Sequence, residues 1–157
     1  MPLKGREAVN KMIAKNRKES NLRVRGIFFD GLSAVIKPTP VDEGRTRNNW
    51  FFSTGTPFLS SSSRGKDKTG SGSLTSLNGM PKNVLNKKMY LTNNMPSIIP
   101  LEYGGYPNPV KLGTWNKKTG EYEKRSEGGY SKQLRGLSPK GWVRGAMKRI
   151  ANAIRKL

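Results

Sequence analysis

The fold is decided at residues 38–50, which read Pro38-Thr39-Pro40-Val41-Asp42-Glu43-Gly44-Arg45-Thr46-Arg47-Asn48-Asn49-Trp50. The two prolines lack the N–H that would continue a helix, and each disfavours helical geometry in the residue before it. A helix that runs toward this stretch must therefore end here.

The same stretch then reverses and changes character. Asp42 can hydrogen-bond the backbone that follows it, and Gly44 can adopt a positive φ without a Cβ clash, so these residues predict a tight turn. The aromatic run that begins at Trp50 predicts a strand that covers a core. Arg45 and Arg47 would share one face of that extended segment, either as a solvated edge or as a docking contact with an acidic neighbour.

Composition limits the size of the core and the kind of partner. The 157 residues are 33% hydrophobic and include 18 Gly and 10 Pro, which predicts a single domain, 1–157, with a small core and long arms. Thirty Lys and Arg against 10 Asp and Glu give a formal net charge of +20. A polyanion or a strongly acidic protein surface is the partner that this charge favours.

Several classes of function are disfavoured by missing residue types. The chain has no Cys and no His, which removes disulfides, thiolate chemistry and the commonest general base and metal ligand. It has neither an apolar signal region nor a run near the ~20 apolar residues that a membrane span needs, so we expect a cytosolic protein without a membrane partner.

The N-terminal region, 1–37, is expected to be helical. Val9, Met12 and Ile13 lie at helical spacing in a charged segment and indicate a weak, exposed amphipathic helix. Whether the segment 19–21, Glu-Ser-Asn, divides the region into two helices stays open. Apolar residues at three- and four-residue steps form a core-facing stripe further on: Val24, Ile27, Phe28, Leu32, Val35 and Ile36.

The middle of the chain is expected to be mostly irregular. Residues 57–86 include a Ser- and Gly-rich run and predict a flexible loop, with a basic arm that orders on a partner as the alternative. A short strand is predicted at 87–92 and a short helical turn with a glycine stop at 96–105. Residues 108–128 predict a protruding hairpin whose Trp115 would serve as an interface anchor.

The C-terminal region, 138–157, is expected to form a helix. Ser138 is a good N-cap and Pro139 suits the first helical position. Apolar residues would face a sheet, while Arg144 and Lys148 lie on the opposite side with other cations. The alternatives are contact of this cationic face with nucleic acid or with an anionic bilayer.

No arrangement of residues indicates catalysis. Asp42, Glu43 and Glu102 are the carboxylates that a Mg²⁺-dependent nuclease would use. The turn explains Asp42 better, and pairing with a cation explains Glu102 better. We therefore expect neither an enzyme nor a cofactor or metal site.

Three short motifs resemble the tail-completion proteins of long-tailed bacteriophages, the neck proteins of the lambda Z-like family. They are the Pro-Val-Asp-Glu-Gly-Arg corner, the Leu-Glu-Tyr-Gly step at 101–104 and the Ser-Pro-Lys-Gly-Trp start of the last helix at 138–142. Glu43 and Thr46 depart from the family pattern. The matching positions are Val41, Asp42, Gly44, Glu102, Gly104 and Pro139.

The resemblance implies an α+β fold, in which a small antiparallel sheet of about four strands with long loops is flanked by a long N-terminal helix and by a C-terminal helix packed on it. It also implies a homo-oligomeric ring, with a hexamer expected, that sits on the completed tail tube and joins the tail to the DNA-filled head.

Expected partners are tail tube or terminator proteins, head-tail connector proteins and genomic DNA in the channel. The location would be the virion, and the host cytoplasm during assembly. Two alternatives stay open, namely a tail-terminator ring that caps tail polymerisation and a free, non-specific nucleic-acid-binding protein.

Overall fold

The structure is a computed structural model that describes residues 4–60, 62–103, 114–116, 119–123 and 141–157. It is a mixed helix and sheet fold. In chain order its elements are α1 (Lys4–Ile36), α2 (Arg45–Asn48), β1 (Phe51–Thr54), α3 (Ser71–Ser76), a 3₁₀ turn (Leu77–Gly79), β2 (Met89–Thr92), α4 (Ile98–Tyr103), β3 (Thr114–Asn116), β4 (Glu121–Glu123) and α5 (Trp142–Ile154).

The N-terminal region is one helix of 33 residues, which answers the open question of one helix or two. At 1.5 Å per residue it is about 50 Å long. Asn21 does not break it, because its side-chain amide donates to the Arg17 carbonyl one turn earlier, at 2.9 Å. The helix ends at Ile36, directly before the two prolines, as predicted.

The C-terminal helix α5 packs mainly against α1. Its buried face consists of Trp142, Ala146 and Ile150, which are spaced by one helical turn each. Gly31 of α1 makes room for this contact, since a Cβ at that position would lie 2.2 Å from Cγ1 of Ile150. The expectation that the last helix packs on a sheet is therefore wrong. It packs on α1, because the small residue Gly31 lets the two helices approach each other directly.

The strands form two antiparallel ribbons among the described residues. β1 pairs with β2, with Phe51 opposite Thr92, and β3 pairs with β4, with Trp115 opposite Tyr122. The predicted hairpin within 108–128 is thus present in its central residues. A single sheet of about four strands is not confirmed.

The segment 57–86 contains regular structure, so the prediction of a loop throughout is wrong. It includes α3 and the 3₁₀ turn, and its apolar residues Leu77, Met80 and Val84 are buried. A spacing of three residues, from Leu74 to Leu77 and from Leu77 to Met80, places them on one side of the chain, and this signal was hidden by the polar residues around them.

The core lies where α1, α5 and this segment meet. Among the described residues, no helix combines the length and the apolar content needed to cross a bilayer. The buried apolar residues are Val24, Leu32, Val35, Ile36, Trp50, Leu77, Met80, Val84, Leu101, Trp142, Ala146 and Ile150.

Candidate functional site

Thr39, between the two prolines, is a fully buried polar residue at the end of α1. Its hydroxyl donates to the Val35 carbonyl at 2.9 Å and accepts from the indole N–H of Trp50, also at 2.9 Å. A carbonyl at a helix end lacks an intrahelical partner, so this hydroxyl satisfies one such group and fixes the tryptophan at the same time. The turn is held by side chains as well as by the prolines.

Arg47 fastens the corner from the other side. Its guanidinium donates to the Thr39 carbonyl from Nε at 3.0 Å and from Nη2 at 2.8 Å, and to the Lys68 carbonyl from Nη1 at 2.8 Å. Burial lowers the pKa of Arg47 from its ordinary value. The side chain of Arg47 therefore stabilises the corner, and the prediction that it lies on a solvated strand edge is wrong, whereas a docking contact stays a prediction.

The backbone after Gly44 is a short helix, α2, and not a strand. Arg45 and Arg47 therefore lie on different faces, since two residues that are two positions apart in a helix are about 200° apart around its axis. Arg45 is exposed and stays available for a partner. The aromatic strand begins after this helix, at Phe51, and Trp50 is buried in the core as expected.

Gly44 packs closely against the backbone of the segment 57–86. It has a φ of +84°, and a Cβ there would lie 2.2 Å from the carbonyl carbon of Asp67 and 2.4 Å from the amide nitrogen of Lys68. The glycine of the predicted turn is thus required both by conformation and by space. Lys66 adds an ion pair to Glu43, with Nζ and Oε1 2.8 Å apart.

Asp67 orders the turn on which Gly44 packs. Its carboxylate accepts from the amide and hydroxyl of Thr69 at 2.8 and 2.7 Å, and from those of Ser71 at 2.8 and 2.6 Å. These hydrogen bonds, the Ser71 hydroxyl first, hold the pKa of Asp67 well below its ordinary range.

Arg64 connects the Ser-rich run to β1. Its Nη1 donates to the Trp50 carbonyl at 2.7 Å, and its guanidinium lies 3.9 Å from the centre of the Phe51 ring. Phe51 stacks on Phe58 with a centroid distance of 4.2 Å. A cation over an aromatic face is attractive, so the side chain of Arg64 attaches the Ser-rich run to β1.

Glu102 caps α5 from α4. Its buried carboxylate accepts from the amides of Val143 and Arg144, both at 3.1 Å, and pairs with Nε of Arg144 at 3.1 Å. Gly141 precedes the helix with a φ of +88°, and a Cβ there would lie 2.2 Å from Oε1 of Glu102. The prediction that Glu102 pairs with a cation is confirmed, and its second role at a helix N-terminus is new.

These contacts meet at the end of α1, next to the corner. The Val35 carbonyl accepts from the Thr39 hydroxyl and also from the indole N–H of Trp142, at 3.0 Å. Glu102 holds the amides that directly follow this tryptophan. We call Val35, Thr39, Trp50, Glu102 and Trp142 the junction.

The other predicted site residues lie elsewhere in the fold or outside the residues that the structure describes. Pro40 and Asp42 line a small cleft of about 270 Å³ between the corner and α4, together with Leu101. Lys148 is exposed on α5. Trp115 pairs through its backbone in β3, and its role as an anchor stays a prediction. Gly104 and Pro139 lie outside the described residues.

Three structural residues escaped sequence reasoning. Thr39 was overlooked because prolines dominate its surroundings, although a threonine one turn after a helical carbonyl is a recognisable capping pattern. Asp67 carries a local signal, because Asp followed by hydroxyl residues two and four positions later favours a side-chain-stabilised turn. Arg64 carries no local signal, since its partners lie 13 to 16 positions earlier in the chain.

Two of the described carboxylates, Asp67 and Glu102, accept hydrogen bonds that order a turn and a helix start. Among the residues that the structure describes, no group of three potential ligands is close enough to hold a metal ion. Glu102 is engaged with α5, which separates its role from that of Asp42 and Glu43. Comparison with family models, curated proteins and solved structures finds no match for the chain.

Proposed function

We propose that this protein is a structural subunit of a bacteriophage neck. Identical copies form a ring, with a hexamer expected, on the completed tail tube and join the tail to the DNA-filled head. Its neighbours are tail tube or terminator proteins and the head-tail connector, and its location is the virion. The proposal involves no catalytic step.

The observation that carries this proposal is the convergence of the resembling motifs. The three motifs are far apart in sequence, yet they lie close together in the fold. Glu102 of the second accepts from the amides that follow Trp142 of the third, and Trp142 and Thr39, the residue before the corner, both donate to the Val35 carbonyl. Pro40, Asp42 and Gly44 of the corner line a cleft with Leu101. Motifs that keep one another in place are expected of a fold signature, and chance similarities have no reason to meet. This supports the likeness to neck proteins.

The distribution of charge agrees with a subunit beside DNA. Arg45, Lys148 and Arg149 are exposed, and the net charge is +20. Phosphate attraction of this kind is independent of base sequence and weakens with salt, which suits a channel through which DNA must slide. The proposal assigns Arg45 and Lys148 to the channel wall or to an acidic neck neighbour.

The oligomeric state of the purified protein, alone and with isolated phage tails, tests the proposal. Electron microscopy and mass photometry should reveal closed rings, and filter binding of a short duplex DNA should be weak for the free monomer. A monomer that binds duplex DNA tightly and forms no rings with or without tails would support the free nucleic-acid-binding alternative instead.

Charge reversal tests the assigned residues. The double variant Arg45→Glu, Lys148→Glu should fold normally and fail to join heads to tails in a complementation assay. Lys87 and Lys88 are also exposed, so their reversal to glutamate is a matched control that should retain joining. Normal particle yield from the first variant would remove Arg45 and Lys148 from the function.

A further inference from the structure

The N-terminal half of α1 borders an open groove that the junction does not explain. Residues 5–20 of this helix are all exposed. Contact with the rest of the chain begins at Asn21, whose Oδ1 accepts from the amides of Val84 at 2.8 Å and Leu85 at 3.1 Å. These bonds fix the loop 82–86 beside the helix. A groove of about 960 Å³ lies between them.

The apolar part of the groove is solvent-exposed. Leu22 is 70% exposed, Ile13 46% and Leu85 38%, and all three line the groove. Two come from the helix and one from the opposite loop, so an occupant between them would cover apolar surface on both sides. Burial of such side chains is the main gain in most protein association.

The polar part of the groove is positively charged. Arg17, Lys18, Arg25 and Lys82 line it, and none of its described lining residues is an acid. Arg25 is held in place from the protein side, because its Nη2 donates to the Met80 carbonyl at 3.5 Å.

We infer that this groove binds an acidic amphipathic helix of another protein. The volume corresponds to about two turns of a helix about 10 Å across. The apolar face of the bound helix would cover Leu22 and Leu85. Carboxylates on either side of that face would pair with the four cations of the groove.

Two other occupants fit the groove less well. A second copy of this chain would bring its own excess of cations to a groove that already holds four, and like charges repel at such an interface. Duplex DNA offers phosphates for the cations but no apolar surface of matching shape for Leu22 and Leu85. The acidic helix satisfies both parts of the lining, whether or not the protein belongs to a phage neck.

Two labelled peptides of equal composition test the inference. Both are acidic and about 15 residues long; one has leucines at helical three- and four-residue spacing, and the other has the same residues in permuted order. Fluorescence anisotropy with the full chain should give at least roughly tenfold tighter binding of the amphipathic peptide, because only it presents a continuous apolar face. Equal binding of the two peptides, or of neither, would overturn the inference.

Paired variants locate the binding. Leu22→Ser with Leu85→Ser should reduce affinity for the amphipathic peptide to that of the permuted one and leave binding of a short duplex DNA unchanged. Leu59→Ser is the matched control, because this leucine is 82% exposed and does not line the groove. Circular dichroism checks that each variant folds. Weakened DNA binding or altered self-association in the double variant, without loss of peptide discrimination, would assign the groove to those occupants and overturn the inference.

Discussion

The two halves of α1 belong to one continuous helix but differ in everything around them. Residues 5–20 are exposed, whereas the second half buries Val24, Leu32, Val35 and Ile36 and ends in the junction. In proteins, most of the stability of a helix comes from tertiary packing and not from intrinsic helix propensity. The first half is therefore best understood as a continuation of a helix that tertiary contacts stabilise at its other end.

Two leucines of α1 should give the largest difference between the halves. Leu32→Ala should lower the free energy of unfolding by about 2–5 kcal/mol, since this side chain is 5% exposed and its loss leaves a cavity. Leu22→Ala should change it by less than about 0.5 kcal/mol, because Leu22 is 70% exposed. Urea denaturation followed by circular dichroism measures both, and equal losses would contradict the distinction.

A comparison of two glycines distinguishes the stability cost of a left-handed backbone from the cost of a steric clash at the corner. Gly55 and Gly44 have φ of +83° and +84°, but a Cβ would meet nothing within 4 Å at Gly55 and would meet the Asp67 backbone at Gly44. Gly55→Ala should cost about 1–2 kcal/mol for the left-handed conformation alone. Gly44→Ala should cost clearly more in the same denaturation experiment. Equal costs would show that the corner does not depend on this contact.

The cap of α5 should contribute less than the core. Glu102→Gln removes the charge that pairs with Arg144 and faces two helical amides, and we expect a loss of about 1–3 kcal/mol. Glu19→Gln removes only an exposed ion pair to Lys15 at 3.9 Å and should cost less than about 1 kcal/mol. The melting temperatures of wild type, Glu102→Gln and Glu19→Gln measure the two losses. Equal melting temperatures for wild type and Glu102→Gln would argue against the cap.

The smallest effect is expected at Asp67 and depends on pH. Its pKa is lowered in the folded state by the Ser71 and Thr69 hydrogen bonds, so the unfolded chain takes up the proton first. The stability that Asp67 provides is present above the ordinary Asp pKa of about 4 and is lost as the pH falls toward the folded value. Denaturation between pH 6 and pH 3 should show a falling advantage of wild type over Asp67→Asn.

The hydroxyl partners provide the control for that experiment. Thr69→Ala with Ser71→Ala removes two of the four donors to the carboxylate. The pH dependence of stability should then flatten relative to wild type. An unchanged dependence would mean that the hydroxyls are not the cause of the lowered pKa.

Sequence reasoning was reliable where a single residue type dictates geometry. The predicted end of α1 at the prolines, the positive φ of Gly44 and the ion pair of Glu102 are all present. Restriction of φ acts locally, and a buried acid in a chain rich in cations has few alternatives to an ion pair. It failed for Arg47, which lies in a helix and not in the expected strand. The guanidinium of Arg47 donates three hydrogen bonds, two to the Thr39 carbonyl and one to the Lys68 carbonyl.

The segment 57–86 shows the other limit. Its many serines predict a segment without tertiary contacts. Ser73, however, is buried, donates to the Arg47 carbonyl at 2.8 Å and accepts from the Trp50 amide at 2.9 Å. Small hydroxyl residues fit between backbones in this way only when another part of the chain is present. No local pattern can reveal such a tertiary contact.

The capping of α5 by Glu102 has a consequence for synthesis of the chain. Gly141, the residue before the helix, has no side chain to cap it, and the first amides of the helix depend on an acid about 40 residues earlier in the chain. Its packing partner α1 is made earlier still. Because more than 100 residues separate the end of α1 from the start of α5, the surface of α1 that α5 covers stays open while those residues are synthesised, and this exposes the nascent chain to aggregation or to chaperones.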